Sequence, residues 1–483
     1  MAVVVPFKGL RYNQNTVKNL SEVVTPPYDV IDAADQDRYY KRHPHNVIRL
    51  EYGKTGPFDN EDHNRYTRAA AELDVWLENN VLVPESCPAL YFYEQEFILE
   101  GERKIRSGFI CGVRLEPYTN GVILPHEETI TKHKADRLKL MRACRANFSP
   151  IFGLFTDPRK RVDSVLRKTA AQGSSPDVSF TDEAGEKHRM WVVTDPGVIY
   201  QVQQAMTDKR IFIADGHHRY ETALNYKQER EAAGHDGNGN KVVSVTGSCC
   251  TGPDGNCCPS GKEPAYNYVM MTLVNLYDPG LVALPTHRLV RGVTGLDKKR
   301  LVEQLKENFE VEKFTLDQDR NNFQEFLGLL AKKGQVCRRG TRNPSLTETN
   351  APIPHRHVFG LYTGKDRLYL LSLGNESLLH RIMPQGKSPA WQGLDVSVLH
   401  TLIIEKYLGI CGELRAKTEH ITYTREEEGA LAAVDTGQYQ LAFFLNPTLV
   451  EEVTAVAAGG EKMPQKSTYF YPKLVTGLVM NRL

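Results

Sequence analysis

Residues 211–226, IFIADGHHRYETALNY, pass from an apolar strand pattern into a helical one across a single glycine, Gly216. Glycine at such a junction permits a sharp turn and close backbone approach. A helix beginning near His217 points free N–H groups and its positive end outward, an arrangement that favours an anion such as phosphate. Arg219 adds a fork of donors matched to phosphate oxygens. His217 and His218 can donate hydrogen bonds, bind metal or move protons near neutral pH. Asp215 is suited either to hold Mg²⁺ or to orient a histidine. Were Asp215 only a helix cap, the histidines would merely pack. Four polar groups crowded at one turn point instead to a functional site. Asp215, Gly216, His217, His218, Arg219 and the adjoining Tyr220 form the expected nucleotide- or phosphate-binding set.

Alternation of strand and helix patterns recurs along the chain and argues a mixed α/β (α+β) fold. Three regions are expected: 1–155, 156–295 and 296–483. In the first, Pro26-Pro27 breaks any helix, Asp32 caps a helix running to about Arg42, and NVIRLEY reads as a strand. ALYFYEQEFILEGERKIRSGFICGVRLEPY reads as a hairpin turned at Glu100-Gly101-Glu102. The middle region alternates helix and strand up to the motif, then resumes in a buried strand, YNYVMMTLVNL. The last contains a hairpin, HVFGLYTGKDRLYLLSL, and the helix VSVLHTLIIEKYL.

Composition narrows the function classes. With Lys+Arg 60 against Asp+Glu 59 among 483 residues, the net charge is +1, and no basic stripe argues for nucleic acid. No apolar run approaches the ~18 residues of a membrane span. The start, MAVVVPFKGLRYN, reads as a first strand rather than a signal peptide, so a cytoplasmic location is expected. Cys249, Cys250, Cys257 and Cys258 sit in a Gly/Pro-rich insertion whose spacing does not match CxxC zinc pairs.

A second constellation is LPHEETITKHKADRLKLMRAC. His126-Glu127 begins like the zinc motif HExxH, but position 130 is Ile, so the metalloprotease reading fails. What remains is a carboxylate-rich turn leading into an amphipathic helix with Leu138 and Met141 inward. His126, Glu127, Thr129, Lys132 and Arg137 together furnish a base, a metal ligand and phosphate-neutralising charge. A helix-surface pair between Lys132 and Asp136 is the plainer alternative. MPQKSTYFYPKL gathers Lys466, Ser467, Thr468, Lys473 and aromatics near the C-terminus, without the glycines of a P-loop. His287 and Arg288 in LPTHRLV form a further polar pair.

The segments PFKGLRYN, VVTPPYDVI, NVIRLE, PHEETITKHKADRL, SPIFGLF, ADGHHRYETAL, NYVMMTLVNLYDPGLVALPTHRL and MPQKSTYFYPKL resemble, in order, a widespread family long catalogued as a domain of unknown function. Its members often accompany genes of serine metabolism. The DGHHRY segment is also similar to the phosphate box of the ParB/sulfiredoxin-like superfamily. The resemblance implies a ParB/sulfiredoxin-like nucleotide-binding core with additional α/β regions. It also implies, as in some members, a kinase forming O-phospho-L-serine from free L-serine and ATP with Mg²⁺. Phosphoryl transfer needs neutralised phosphates, a divalent metal and a placed nucleophile. On that reading Asp215 or Glu127 holds Mg²⁺, and Glu127, His126 or Asp29 accepts the hydroxyl proton. Arg137, Lys132 and Arg49 are candidates for the substrate carboxylate, with Tyr28 and Thr129 beside them. L-serine and a nucleotide are the expected partners, and a homo-oligomer is compatible with the sequence. The sequence leaves the donor (ATP, ADP or another) open. A nucleotide-gated binding protein and a phosphohydrolase using the same box are the alternatives.

Overall fold

The computed structural model describes residues 1–127, 129, 131–173, 175–235, 263–336, 357–375, 379–411 and 420–483. The paired cysteines at 249–250 and 257–258 lie outside them. The fold is mixed α/β, and the chain forms two compact units. The first comprises Met1–Pro125, Thr129–Val282 and Phe470–Leu483; the second comprises His126–Glu128 and Ala283–Tyr469.

The first unit is built on a nine-stranded sheet. Its strands are β1 (Val4–Val5), β2 (Leu90–Leu99), β3 (Glu102–Arg114), β4 (Ile123–Leu124), β5 (Ile151–Phe155), β6 (Val178–Thr181), β7 (Lys187–Val193), β8 (Ile211–Asp215) and β9 (Tyr268–Asn275). They lie in the order β4-β8-β5-β9-β3-β2-β7-β6, with β1 also on β3. β9 runs parallel to β5 and antiparallel to β3, and every one of its residues is buried. A continuous apolar run is what such an interior strand requires. The expected boundary near residue 155 therefore falls inside one sheet, because β9 joins β5 to β3. The later break lies at Val282/Ala283 rather than near 295.

Helices α1 (Ala33–Arg42), α2 (Ile48–Glu51), α3 (Arg65–Glu78), α4 (Thr131–Cys144), α5 (Arg161–Gln172), α6 (Pro196–Met206) and α7 (His217–His235) complete this unit. Asp32 caps α1, accepting from Asp35 N at 2.8 Å. The hairpin β2–β3 turns through Glu100 and Gly101, both at positive φ. NVIRLEY is a helical turn, α2, not a strand. Two residues ahead of it, Asn46 Oδ1 accepts from Ile48 N at 3.0 Å while its amide donates to Glu22 O at 2.7 Å, and the turn buries Ile48 and Leu50 completely.

Successive strand residues face opposite sides. One face of the sheet sends Phe109, Ile151, Phe155, Ile213 and Leu273 into an apolar core shared with Leu166, Val202 and Ala223 of α5, α6 and α7. On the other face the register sets Gln95 beside Arg106 and Phe152 beside Asp215. The C-terminal segment lies along that second face: Phe470 meets the Phe152 ring at 5.7 Å, and Gln95 Nε2 donates to Lys473 O at 3.0 Å.

The second unit carries a six-stranded antiparallel sheet: β10 (His287–Val290), β11 (Phe309–Thr315), β12 (Val358–Tyr362), β13 (Arg367–Leu373), β14 (Ile421–Thr424) and β15 (Leu441–Phe444). The order is β11-β13-β12-β15-β10-β14, and the expected hairpin is β12–β13. VSVLHTLIIEKYL begins as the helix Asp395–Val398 and widens into a π-helix over Leu399–Glu405. No helix among the described residues is long and apolar enough to cross a membrane.

Candidate functional site

Strand β8 ends at Asp215, and Gly216 turns the chain into α7 at φ +92°. A side chain at Gly216 would place its Cβ 2.8 Å from Arg219 Nε, so the guanidinium folds back into space only glycine leaves. Arg219 is 9% exposed and donates from Nη1 to Pro150 O at 2.6 Å. Its Nη2 stands 3.6 Å from Asp215 Oδ2, and its Nε has no hydrogen-bond partner among the described residues. From the far end of the chain, Lys473 Nζ reaches Asp215 Oδ2 at 3.2 Å. Burial works against ionisation of Asp215, but the charges of Lys473, Arg219 and His217 outweigh it and hold the carboxyl well below the usual range.

Asp215 is thus an anchor for cations. Its Oδ1 accepts from Gly216 N at 3.0 Å and its Oδ2 faces Lys473 and Arg219. A divalent ion would have to displace Lys473, so these residues do not fit the expected role of Asp215 as a metal ligand. They fit an anion: two cations and a helix start share one carboxylate.

Around this turn the first unit assembles a second charged layer. Arg137 on α4 is 5% exposed, donates from Nη1 to Glu51 O at 2.9 Å and lies 3.2 Å from Glu51 Oε1. Its Nε donates to Asp136 Oδ2 at 2.8 Å, and its guanidinium covers the Tyr28 ring at 4.0 Å. Burial pushes the Glu51 carboxyl up, against the pull of Arg137 and Arg219 and a 2.9 Å bond from Ser149 Oγ. Burial also raises the Tyr28 hydroxyl. Asp136 is lowered despite burial, by Arg137, Tyr66 and Arg65. Arg137 is therefore committed to two carboxylates and one carbonyl, which leaves it poorly placed to receive a substrate carboxylate.

The remaining expected residues divide. His217 is 4% exposed, and the His218 ring meets His133 at 5.2 Å. Tyr220 points into the core, its hydroxyl bonded to Glu116 O at 2.8 Å and Glu116 N at 3.0 Å. Arg49 stacks on Tyr40 at 4.6 Å and donates to Tyr40 O at 3.2 Å. Asp29 is exposed on the short helical turn Tyr28–Val30. Thr129 Oγ1 donates to Glu221 at 2.6 Å, which also receives Lys134 at 2.8 Å. Lys132 lies on α4, and its side chain is outside the described set. His126 and Glu127 belong to the second unit. His126 is fully buried, with Nε2 2.9 Å from the Thr468 hydroxyl and its carbonyl accepting from Met463 N at 2.7 Å; Glu127 is half-buried. His287 and Arg288 are buried there as well.

Sequence reasoning missed Glu51 and chose Arg49, two positions earlier. The signal available was a carboxylate inside an otherwise apolar turn, which burial makes costly unless it is paired.

Residues 4–397 match the family described as Protein of unknown function (DUF1015). Among curated proteins none matches the chain. Similar solved structures include a conserved hypothetical protein from Pyrococcus furiosus, at 13% identity and TM-score 0.30 over 77% of this chain and 93% of that one. A free serine kinase in complex with AMP is similar at 13% identity and TM-score 0.28 over 72% and 84%. SbnI with C-terminal truncation from Staphylococcus aureus is similar at 12% identity and TM-score 0.30 over 76% and 85%. Likeness at these TM-scores carries no argument about this chain's fold or chemistry.

Proposed function

This chain belongs to the DUF1015 family, and from that premise we propose that it transfers a phosphoryl group from a nucleotide, with ATP as first choice, to the hydroxyl of free L-serine. The observation that carries the reading is the turn Asp215–Arg219. Arg219 and Lys473 converge on one carboxylate at the start of a 19-residue helix, with Arg219 Nε still to be satisfied. An anionic phosphate chain is the ligand such a turn is suited to. The choice of serine rests on the sequence motifs.

In this scheme the serine Oγ forms a bond to the terminal phosphorus as the bridging P–O bond breaks and the nucleoside diphosphate leaves. The proton of the hydroxyl passes to a carboxylate, for which Asp29 of the first unit is the candidate. Such a base acts as the O–P bond forms, so its position counts more than its resting pKa. Arg219 and Lys473 offset charge on the phosphates, where buried donors act most strongly. Mg²⁺ would neutralise phosphate oxygens. Asp215, held by Lys473 and Arg219, does not fit it.

Phosphorus NMR of the folded protein with Mg²⁺, L-serine and, in turn, ATP, ADP, CTP and pyrophosphate tests the proposal. A new phosphomonoester resonance matching O-phospho-L-serine is expected with at least one donor. Its absence with all of them overturns the serine kinase reading. Loss of nucleotide phosphate without phosphoserine would indicate a phosphohydrolase.

A further inference from the structure

On the second face of the sheet in the first unit, Arg106 of β3 is 2% exposed. A buried guanidinium ordinarily meets a carboxylate. Among the described residues Arg106 forms no ion pair. Its Nη2 donates to the neutral Gln95 Oε1, its plane lies over the Phe152 ring at 4.8 Å, and its Nη1 has no partner. Burial lowers it to about 10, with only longer-range support from Tyr93, Glu186 and Asp278. Structural arginines in the same unit differ: Arg137 meets Glu51 and Asp136, and Arg189 meets Glu94 and Glu96.

Its surroundings are those of the anion turn. Phe152, beneath Arg106, pairs in register with Asp215. Gln95, which orients Arg106, donates through Nε2 to the carbonyl of Lys473, whose ammonium holds Asp215. Arg106 and the phosphate turn are thus joined through one strand partner and one tail residue.

We propose that Arg106 is the receptor for the carboxylate of the acceptor substrate, with Gln95 fixing the guanidinium and Nη1 left to donate to the ligand. This rests on the proposed serine kinase reading, and it supplies the cation that Arg137, already committed, does not. A planar fork against a planar carboxylate gives directional recognition that a lysine cannot reproduce.

Arg106→Met and Arg106→Lys test it. A buried ion without a partner costs stability, so its replacement by an apolar chain of similar length is neutral or stabilising. Arg106→Met should therefore melt no lower than the parent. Calorimetry should show L-serine binding weakened by roughly 10–100-fold, the loss expected for a charged hydrogen bond, with nucleotide affinity unchanged. Arg106→Lys should recover only part of the loss. Ethanolamine, which lacks the carboxylate, should bind parent and variant alike. A lower melting temperature for both variants, or parental L-serine affinity in Arg106→Met, overturns the assignment. If the parent neither binds L-serine nor makes phosphoserine, the kinase reading fails by itself, and formate decides the fate of Arg106. Formate should raise the parent's melting temperature above matched chloride and leave Arg106→Met unmoved; equal responses overturn the proposal.

Discussion

Lys473 Nζ stands 3.2 Å from Asp215 Oδ2, although 258 residues separate the two in the chain. The C-terminal segment thereby supplies one of the two cations at the turn, and the turn's charge depends on it. In Lys473→Met, Asp215 keeps the charges of Arg219 and His217 but loses its nearest cation. Nucleotide affinity should fall by about 10-fold, corresponding to ~1.4 kcal/mol, measured by calorimetry.

The same substitution has a pH signature. The folded Asp215 carboxyl lies below its unfolded value, so the stability it contributes is present above the unfolded pKa of about 3.9 and lost as pH falls through the folded one. Lys473→Met moves the folded pKa upward. Acid unfolding followed by circular dichroism should then begin at higher pH than in the parent. Coincident acid transitions would show that the ion pair is not formed in solution.

Gly216→Ala meets two obstacles at once: a backbone at φ +92° and a Cβ 2.8 Å from Arg219 Nε. The left-handed conformation costs about 1–2 kcal/mol, and the displaced guanidinium adds a loss of phosphate affinity. A urea midpoint equal to the parent's, with unchanged nucleotide binding, would mean the turn is looser than described.

Glu186 shows the opposite titration to Asp215. Burial first, and then the neighbouring Asp182, raise its carboxyl to about 7, against Arg106 and a bond from Tyr471. A carboxyl whose folded pKa is raised stabilises fully below its unfolded value and loses that contribution as pH climbs through the folded one. Stability should decline between about pH 4.5 and 7, by up to roughly 3 kcal/mol. Glu186→Gln should flatten that decline in urea titrations at pH 5 and 8. A parental slope in the variant would assign the decline elsewhere.

Much of this architecture is readable in the sequence because it is set locally. Asp32 announces α1, Gly101 the β2–β3 turn, and the run to Asp215 followed by Gly216 the strand-to-helix junction. Long-range pairing left no such trace. MPQKSTYFYPKL marks Lys473 as a candidate without naming Asp215 as its partner, and the sheet that joins β5, β9 and β3 hides the expected break at residue 155. NVIRLEY misleads because its apolar alternation fits a strand, while Asn46 Oδ1 binds Ile48 N where the chain enters a helical turn. Arg106 stands between Ile105 and Ser107, in a polar stretch where the sequence reveals neither its burial nor its missing partner.

Asp29→Asn addresses the reacting step. As the proposed base, Asp29 should matter chiefly when the hydroxyl attacks. Turnover should drop by roughly 10²–10⁴-fold, the range for a positioned general base, with the fold and most nucleotide affinity retained. Normal turnover would remove Asp29 from the proposed scheme.

The turn itself is tested most directly by titrating nucleotide into the parent and Arg219→Ala by calorimetry, with folding checked by circular dichroism. In the proposed scheme Arg219 would touch the phosphates before and during transfer, so its loss should weaken binding by about 10–100-fold, as for a charged hydrogen bond. An Arg219→Ala protein that is folded and binds nucleotide as tightly as the parent would contradict the assignment of Asp215–Arg219 as the phosphate site.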